Sequence, residues 1–338
     1  MGKAHAREYT PLHMSLFSVH SLCKSFRIPK HHTGFWQRCR SLIMREYSTK
    51  VALDNVSFAV ATGDCVGYIG PNGAGKSTTI KILTGILVPD SGTVSVFGKT
   101  PWQHRIETVR HIGVVFGQRT QLWWDLQVIE SFELLKAIYD ISDCAYKRAK
   151  DELVAALDLA PLLHVPVRML SLGQRMRCDL AASLLHSPKL LFLDEPTIGL
   201  DAISKLAVRD FVARLNKENK VTVLLTTHDM DDIESLCNRV IILHNGCIDF
   251  DGPLELLRKK ITPQRRLVVD MRHEHTVIDE SVAKVVKREG HRLWLHFNPD
   301  LITAPELIQR IISKYEVVDL FVENPPIEET IAALYRGS

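Results

Sequence analysis

The chain has 338 residues, 46% of them apolar and 24% charged, with a net charge of +3 at neutral pH. That suits a folded protein with a real core, long enough for one large domain and a small one. The charge is too small to mark a nucleic-acid partner, no apolar run approaches the ~18 residues of a membrane span, and seven scattered cysteines without a C-x-x-C pair signal neither a disulfide framework nor a zinc site.

The N-terminal stretch, Met1 to Met14, carries charges and histidines but no apolar segment. No secretory signal is therefore expected, but reduced thiols and a cytoplasmic chain, with Asn55-Val56-Ser57 a chance sequon. After an opening strand, residues 28–46 form an insert in which Phe35, Trp36, Cys39, Leu42 and Ile43 recur at helical spacing beside Arg38, Arg40 and Arg45. That pattern suits a basic amphipathic helix at a membrane surface or against a membrane partner, and equally an insert packed on its own domain.

Residues 51–60 (VALDNVSFAV) and 64–69 (DCVGYI) read as strands parted by Thr62-Gly63. The second runs into GPNGAGKST and then a helical stretch, TTIKILTGIL. Residues 130–160 are rich in helix formers up to Pro161. LLFLD (190–194) and VTVLLTTH (221–228) read as buried parallel strands, with a helix over 202–216 between them. Strands alternating with helices predict an α/β fold. Past Pro253 the texture becomes α+β, with strands over 266–271, 282–288 and 291–297, a hairpin turn at Glu289-Gly290, a helix over 305–314, a strand over 316–322 and a last helix after Pro325-Pro326. The expected layout is a tail over 1–13, an α/β domain over 14–258 and a small α+β domain over 259–338.

Gly70-Pro71-Asn72-Gly73-Ala74-Gly75-Lys76-Ser77 fits G-x-x-x-x-G-K-[ST], with Thr78 next in line. Glycines let backbone N–H groups turn inward around phosphate oxygens, and the helix behind adds its positive end. Lys76 reaches the β- and γ-phosphates and the Ser77 hydroxyl ligates Mg²⁺. A strand ending in Asp194-Glu195 supplies a carboxylate to hold Mg²⁺ and, one residue on, a general base for the attacking water.

With these motifs the chain resembles the ATP-binding cassette (ABC) family, and further motifs match in order. Gln118 after IGVVFG corresponds to the Q-loop glutamine, Leu170-Ser171-Leu172-Gly173-Gln174 to the LSGGQ signature, Gly199-Leu200-Asp201 to the D-loop and His228 to the switch histidine. Tyr47, 29 residues before Lys76, corresponds to the aromatic that stacks on adenine, with Phe26 as the alternative. The resemblance implies a P-loop NTPase fold with a helical subdomain, ATP and Mg²⁺ as ligands, and catalysis by Glu195 with Gln118 and His228. It also implies composite sites, in which Ser171, Gly173, Gln174 and Asp201 of one copy meet ATP on another copy or a homologous ATPase. Leu172 departs from the pattern by standing where the signature has its first glycine.

Gln121-Leu122-Trp123-Trp124 follows the Q-loop, where transport members receive a permease; the adjacent tryptophans suit an interface anchor, or core packing of one or both. The basic insert, the LSLGQ signature and a single cassette with a small C-terminal domain look like ATPase subunits of ABC-2-type exporters, whose permease is a separate polytopic chain. An importer ATPase and a non-transport cassette ATPase are the alternatives. The C-terminal domain shows no catalytic constellation, and regulation, dimerisation and capping all remain open for it.

Overall fold

The computed structural model describes residues 15–29, 47–117, 119–261, 265–273 and 282–323. The tail over 1–13, all but the first two residues of the insert over 28–46, Gln118 and the expected last helix lie outside them. The contacts divide the chain into two compact units, Met1–Gly252 and Pro253–Ser338.

The first unit is built on a six-stranded sheet in the order β5-β6-β7-β3-β8-β9. Its members are β3 (Cys65–Ile69), β5 (Ile112–Phe116), β6 (Leu190–Asp194), β7 (Thr222–Thr226), β8 (Arg239–His244) and β9 (Cys247–Pro253). From β5 through β8 neighbouring strands run parallel. Every residue of β3 and β7 is buried, which is why these segments read as unbroken apolar runs rather than alternating ones. Three antiparallel strands, in the order β2-β1-β4, form a second sheet from β1 (Ser15–Pro29), β2 (Tyr47–Ala61) and β4 (Ser91–Val96). Phe17, Phe58, Tyr68 and Phe192 join the two sheets in one core, with Phe17 edge-on to Phe58 at 5.9 Å and Phe58 stacked on Tyr68 at 5.4 Å.

Among the described residues, α-helices connect these strands. α1 (Lys76–Leu83) follows β3, and the short α2 (Arg105–Val109) precedes β5. The helix-forming run before Pro161 is two helices, α3 (Val128–Ile138) and α4 (Asp143–Ala156). Asp140 breaks it in the left-handed region at φ 53°, and Ser142 caps α4 by accepting from the Ala145 N–H. α5 (Leu172–Leu184), α6 (Ala202–Asn219) and α7 (Met230–Leu236) complete the unit.

The second unit holds α8 (Leu254–Ile261) and a four-stranded antiparallel sheet in the order β11-β12-β10-β13. Its strands are β10 (Arg265–Met271), β11 (Ala283–Glu289), β12 (Arg292–Phe297) and β13 (Val317–Glu323). α9 (Ala304–Lys314) carries a Thr303–Glu306 capping box and packs Leu307 and Ile311 onto Leu267, Val269, Leu293, Leu295 and Phe297. β11 and β12 pair up to Glu289↔Arg292, the hairpin that Glu289-Gly290 announces.

Candidate functional site

The carboxyl ends of β3, β6 and β7 lie side by side, so the segments leaving them converge on one edge of the sheet. From β3 comes the loop from Gly70 to Gly75. Gly75 sits at φ 111°, and a Cβ there would lie 2.4 Å from the Ala52 carbonyl oxygen, so no other residue fits. The turn closes through the Ala74 N–H on the Pro71 carbonyl at 3.1 Å. α1 then begins at Lys76, and the N–H groups of its first turn, at Lys76, Ser77 and Thr78, have no acceptor within the helix. They face outward as an anion cradle, reinforced by the helix dipole.

The Lys76 ammonium donates to the carbonyls of Gly70 at 2.6 Å and Pro71 at 3.3 Å. Burial pulls its pKa below the ordinary lysine value, while Glu195 and Asp194 work in the opposite direction. A cation held by backbone carbonyls beside two carboxylates suits a polyanion carrying its own counter-ion.

Asp194 ends β6, and its Oδ1 accepts from Thr226 Oγ1 at 2.5 Å on the neighbouring β7. Glu195 follows in the left-handed region at φ 55°, a strained conformation for a side-chain-bearing residue. It is held there by its N–H on the Thr226 carbonyl at 2.8 Å and by the Gly117 N–H on the Asp194 carbonyl at 2.7 Å. Gly117 is pressed so close that a Cβ would meet the Glu195 carbonyl oxygen at 1.9 Å. The half-buried Glu195 carboxylate lies 3.6 Å from Nδ1 of the exposed His228, which follows β7. A cavity of about 990 Å³ is lined by Gly70, Asn72, Ser77, Asp194, Glu195 and His228, among others.

A second cavity of about 300 Å³ shares Asn72, Ser77 and Glu195 with the first and adds Gly73, Gly75, Lys76, Thr78, Phe26, Ile28, Lys50 and Ala52. Tyr47 is absent from its lining. The β1–β2 register pairs Phe26 with Lys50 and Ile28 with Ser48, whereas Tyr47 pairs with Pro29. Tyr47 and Lys50 are three residues apart, so on a strand they face opposite ways. The structure therefore turns Tyr47 away from the phosphate loop and brings Phe26 to it. Counting back from Lys76 could not see this, because the side a strand residue faces depends on pairing. Lys50 was missed for the same reason.

Ser171 caps α5. Its hydroxyl accepts from the Gln174 N–H at 3.2 Å, and Gln174 Oε1 accepts from the Ser171 N–H at 2.9 Å. As an acceptor in the cap, the hydroxyl keeps its own proton to donate to an anion. Gly173 is buried against α6, where a Cβ would meet Ser204 Oγ at 2.4 Å. Asp201 caps α6 by accepting from the N–H and hydroxyl of Ser204, both at 2.9 Å. Leu172 lies against Gly199, which sits at φ 70°; a Cβ there would come within 2.9 Å of the leucine Cδ2. The signature and D-loop segments of one chain thus pack on each other, and neither of that chain's two phosphate-loop cavities is lined by Ser171, Gly173, Gln174 or Asp201.

A buried polar network flanks His228 and gave no sequence signal. Asp232, fully buried, accepts from Arg209 Nε at 2.5 Å, Thr197 Oγ1 at 2.5 Å and Thr227 Oγ1 at 3.0 Å. Burial pushes the neighbouring Asp229 upward, but Lys205 and Arg209 outweigh it and leave this carboxyl below the usual range. The segments after Glu195 and around His228 are thereby tied to α6.

Residues 53–198 match the ABC transporter family model. The bacitracin transport ATP-binding protein BcrA of Bacillus licheniformis is 30% identical over 263 residues, covering 74% of this chain and 85% of BcrA. The chain belongs to the ABC transporter ATP-binding family. The daunorubicin resistance ATP-binding protein DrrA3 of Streptomyces coeruleorubidus is 35% identical over 225 residues, covering 67% of this chain and 71% of DrrA3. Among solved structures, an ATP-binding subunit of an ABC transporter superposes with a TM-score of 0.60 at 27% identity, covering 73% of this chain and 93% of that one. This ABC chain is an ATPase with a P-loop NTPase fold, and ATP is the polyanion its loop receives. The oxygen donors Ser77 and Asp194 on the same cavity fit Mg²⁺, a hard cation that takes few protein ligands and fills its shell with water and phosphate oxygens.

Proposed function

We propose that this ATPase energises an exporter of the ABC-2 type as a dimer, working on a separate polytopic permease. The convergence of Lys76, Ser77, Asp194, Glu195 and His228 at one sheet edge carries the catalytic part of the reading. The phosphate loop from Gly70 to Thr78 binds the triphosphate through its N–H groups and Lys76, and Phe26 stacks on adenine in place of Tyr47. Ser77 and Asp194 hold Mg²⁺, which neutralises phosphate charge, and Gln118 is assigned to sensing it. Glu195 accepts a proton from the attacking water, and His228 orients the γ-phosphate beside it.

Ser171, Gly173, Gln174 and Asp201 do not line the Lys76 cavities of their own chain. Their free donor and helix N-termini suit the γ-phosphate held by a second copy or a homologous ATPase, which makes each site composite. ATP then draws two chains together and hydrolysis releases them.

For the permease, the supporting observation is the exposure of Trp123 and Trp124, 38% and 51% accessible, on the segment after Arg119. No helix among the described residues is long and apolar enough to cross a membrane, so the transport pathway is assigned to the partner, which would hold the ATPase at the inner face of the cell membrane. The names of the relatives, bacitracin transport and daunorubicin resistance, favour export. Capture of the tagged chain from native membranes in mild detergent should bring down a polytopic membrane protein in stoichiometric amount. Recovery of soluble partners alone would contradict the transport reading.

A further inference from the structure

The signature helix carries a buried carboxylate that the ATP site does not use. Asp179, in the middle of α5, is 4% exposed. Its Oδ1 accepts from Thr120 Oγ1 at 2.8 Å and from the Gln121 N–H at 3.0 Å. Gln121 Nε2 donates to the Asp179 carbonyl at 2.7 Å, and the Leu122 N–H donates to Thr120 Oγ1 at 3.1 Å. One charged side chain thus holds the Thr120 hydroxyl and the Gln121 N–H on α5, and Thr120 in turn holds the Leu122 N–H.

Only a few residues earlier the same stretch of chain is fixed to the central sheet. The Gly117 N–H is on the Asp194 carbonyl at 2.7 Å, and the Arg119 N–H turns back to the Phe116 carbonyl at 3.0 Å. The segment leaving the sheet is therefore pinned to β6 at Gly117 and to α5 from Thr120. Beyond the Asp179 clamp the segment continues to Trp123 and Trp124. There the Trp123 N–H donates to Ser131 Oγ on α3 at 3.3 Å, and the Trp124 carbonyl accepts from the Arg168 N–H at 3.0 Å. Residues 120–123 thus bridge α5, through Asp179, to α3, through Ser131.

We propose that Asp179 is a positioning residue that makes the signature helix follow the segment carrying Trp123 and Trp124, so that displacement of those tryptophans moves Ser171 at the tip of α5. A buried charge costs folding free energy unless hydrogen bonds offset it. The aspartate here holds the loop by two directed hydrogen bonds, one from a side chain and one from the backbone. The phosphate loop is not touched by the clamp, so its own grip on ATP is independent of Asp179. The proposal rests on the reading that α5 closes over ATP on a second copy.

The test uses the full chain. Asp179→Ala removes both bonds, Thr120→Val removes one, and Asp179→Asn keeps them, because a single oxygen accepts both. Asp179→Ala should lower kcat about tenfold or more with ATP affinity changed less than about twofold, Thr120→Val should fall between, and Asp179→Asn should restore wild-type turnover. A kcat unchanged in folded Asp179→Ala and Thr120→Val would overturn the proposal, as would parallel losses of affinity and turnover in both. In a Glu195→Gln background, ATP-driven dimerisation should need at least about tenfold more ATP once Asp179→Ala is added. Dimerisation of both at the same ATP concentration sinks the clamp and leaves the composite site standing. A Glu195→Gln chain that never dimerises removes the reading on which the clamp rests.

Discussion

At the scale of single residues, Asp179 gives the sharpest pH signature. Burial raises its carboxyl from 3.8 to about 6, with Thr120, Gln121 and Arg175 pulling partly back. A folded-state pKa above the unfolded one adds stability fully below the unfolded value, and that stability is lost as pH rises through the folded value. Asp179 therefore costs up to about 3 kcal/mol at pH 8 relative to pH 4. Asp179→Asn, which keeps both acceptor bonds, should gain about 1–3 kcal/mol over wild type at pH 8, and that gain should fade towards pH 4; urea titrations at the two pH values measure it. A difference independent of pH would show that the carboxyl titrates normally. For the nucleotide, Phe26→Ala should cost about 1–3 kcal/mol of ATP affinity while Tyr47→Ala stays within about twofold, read by equilibrium binding of a fluorescent ATP analogue. The residues from Gly70 to Ser77, with Asp194 and Glu195, were legible in the sequence because each motif is contiguous and its chemistry follows from its spacing. Phe26, Lys50 and Asp179 were not, since each acts through a partner that only pairing or packing brings near.

At the scale of elements, the contact between α5 and α6 decides how the signature is presented. Gly173→Ala puts a methyl 2.4 Å from Ser204 Oγ, so α5 must shift or strain. The expected cost is about 1–3 kcal/mol of stability together with a loss of ATP-driven dimerisation, and Ser204→Ala in the same chain should recover part of both. Equal thermal midpoints for Gly173→Ala and wild type would show that the helices tolerate the extra carbon. Leu172 in place of glycine finds its room beside Gly199, which explains how the departure from LSGGQ is accommodated. The buried strands β3, β6 and β7 could be read directly as apolar runs, as could the hairpin and helix of the second unit. The split between α3 and α4 was hidden, because Asp140 in the left-handed region looks like any polar helix residue until its backbone is seen. The opening strands extend beyond their apolar stretches, to Pro29 and back to Tyr47, because pairing between β1 and β2 sustains them where burial does not.

At the scale of the whole molecule, the ATPase unit carries a phosphate loop whose cavities do not include its own signature, so the chemistry predicts function only in pairs. The second unit has an α+β core of its own, built on Leu267, Val269, Leu293, Leu295 and Phe297. Family membership rests on the family model over residues 53–198 and on relatives such as BcrA. The proposal of export rests on relatives, and that of a permease contact on the exposed tryptophans. Sedimentation of Glu195→Gln with and without ATP, alongside its turnover, tests the composite site most directly. The account predicts a monomer without nucleotide, a dimer retaining two ATP molecules when ATP is added, and turnover reduced by at least about a hundredfold. A chain that stays monomeric at saturating ATP, or one that hydrolyses ATP at the wild-type rate, would contradict it.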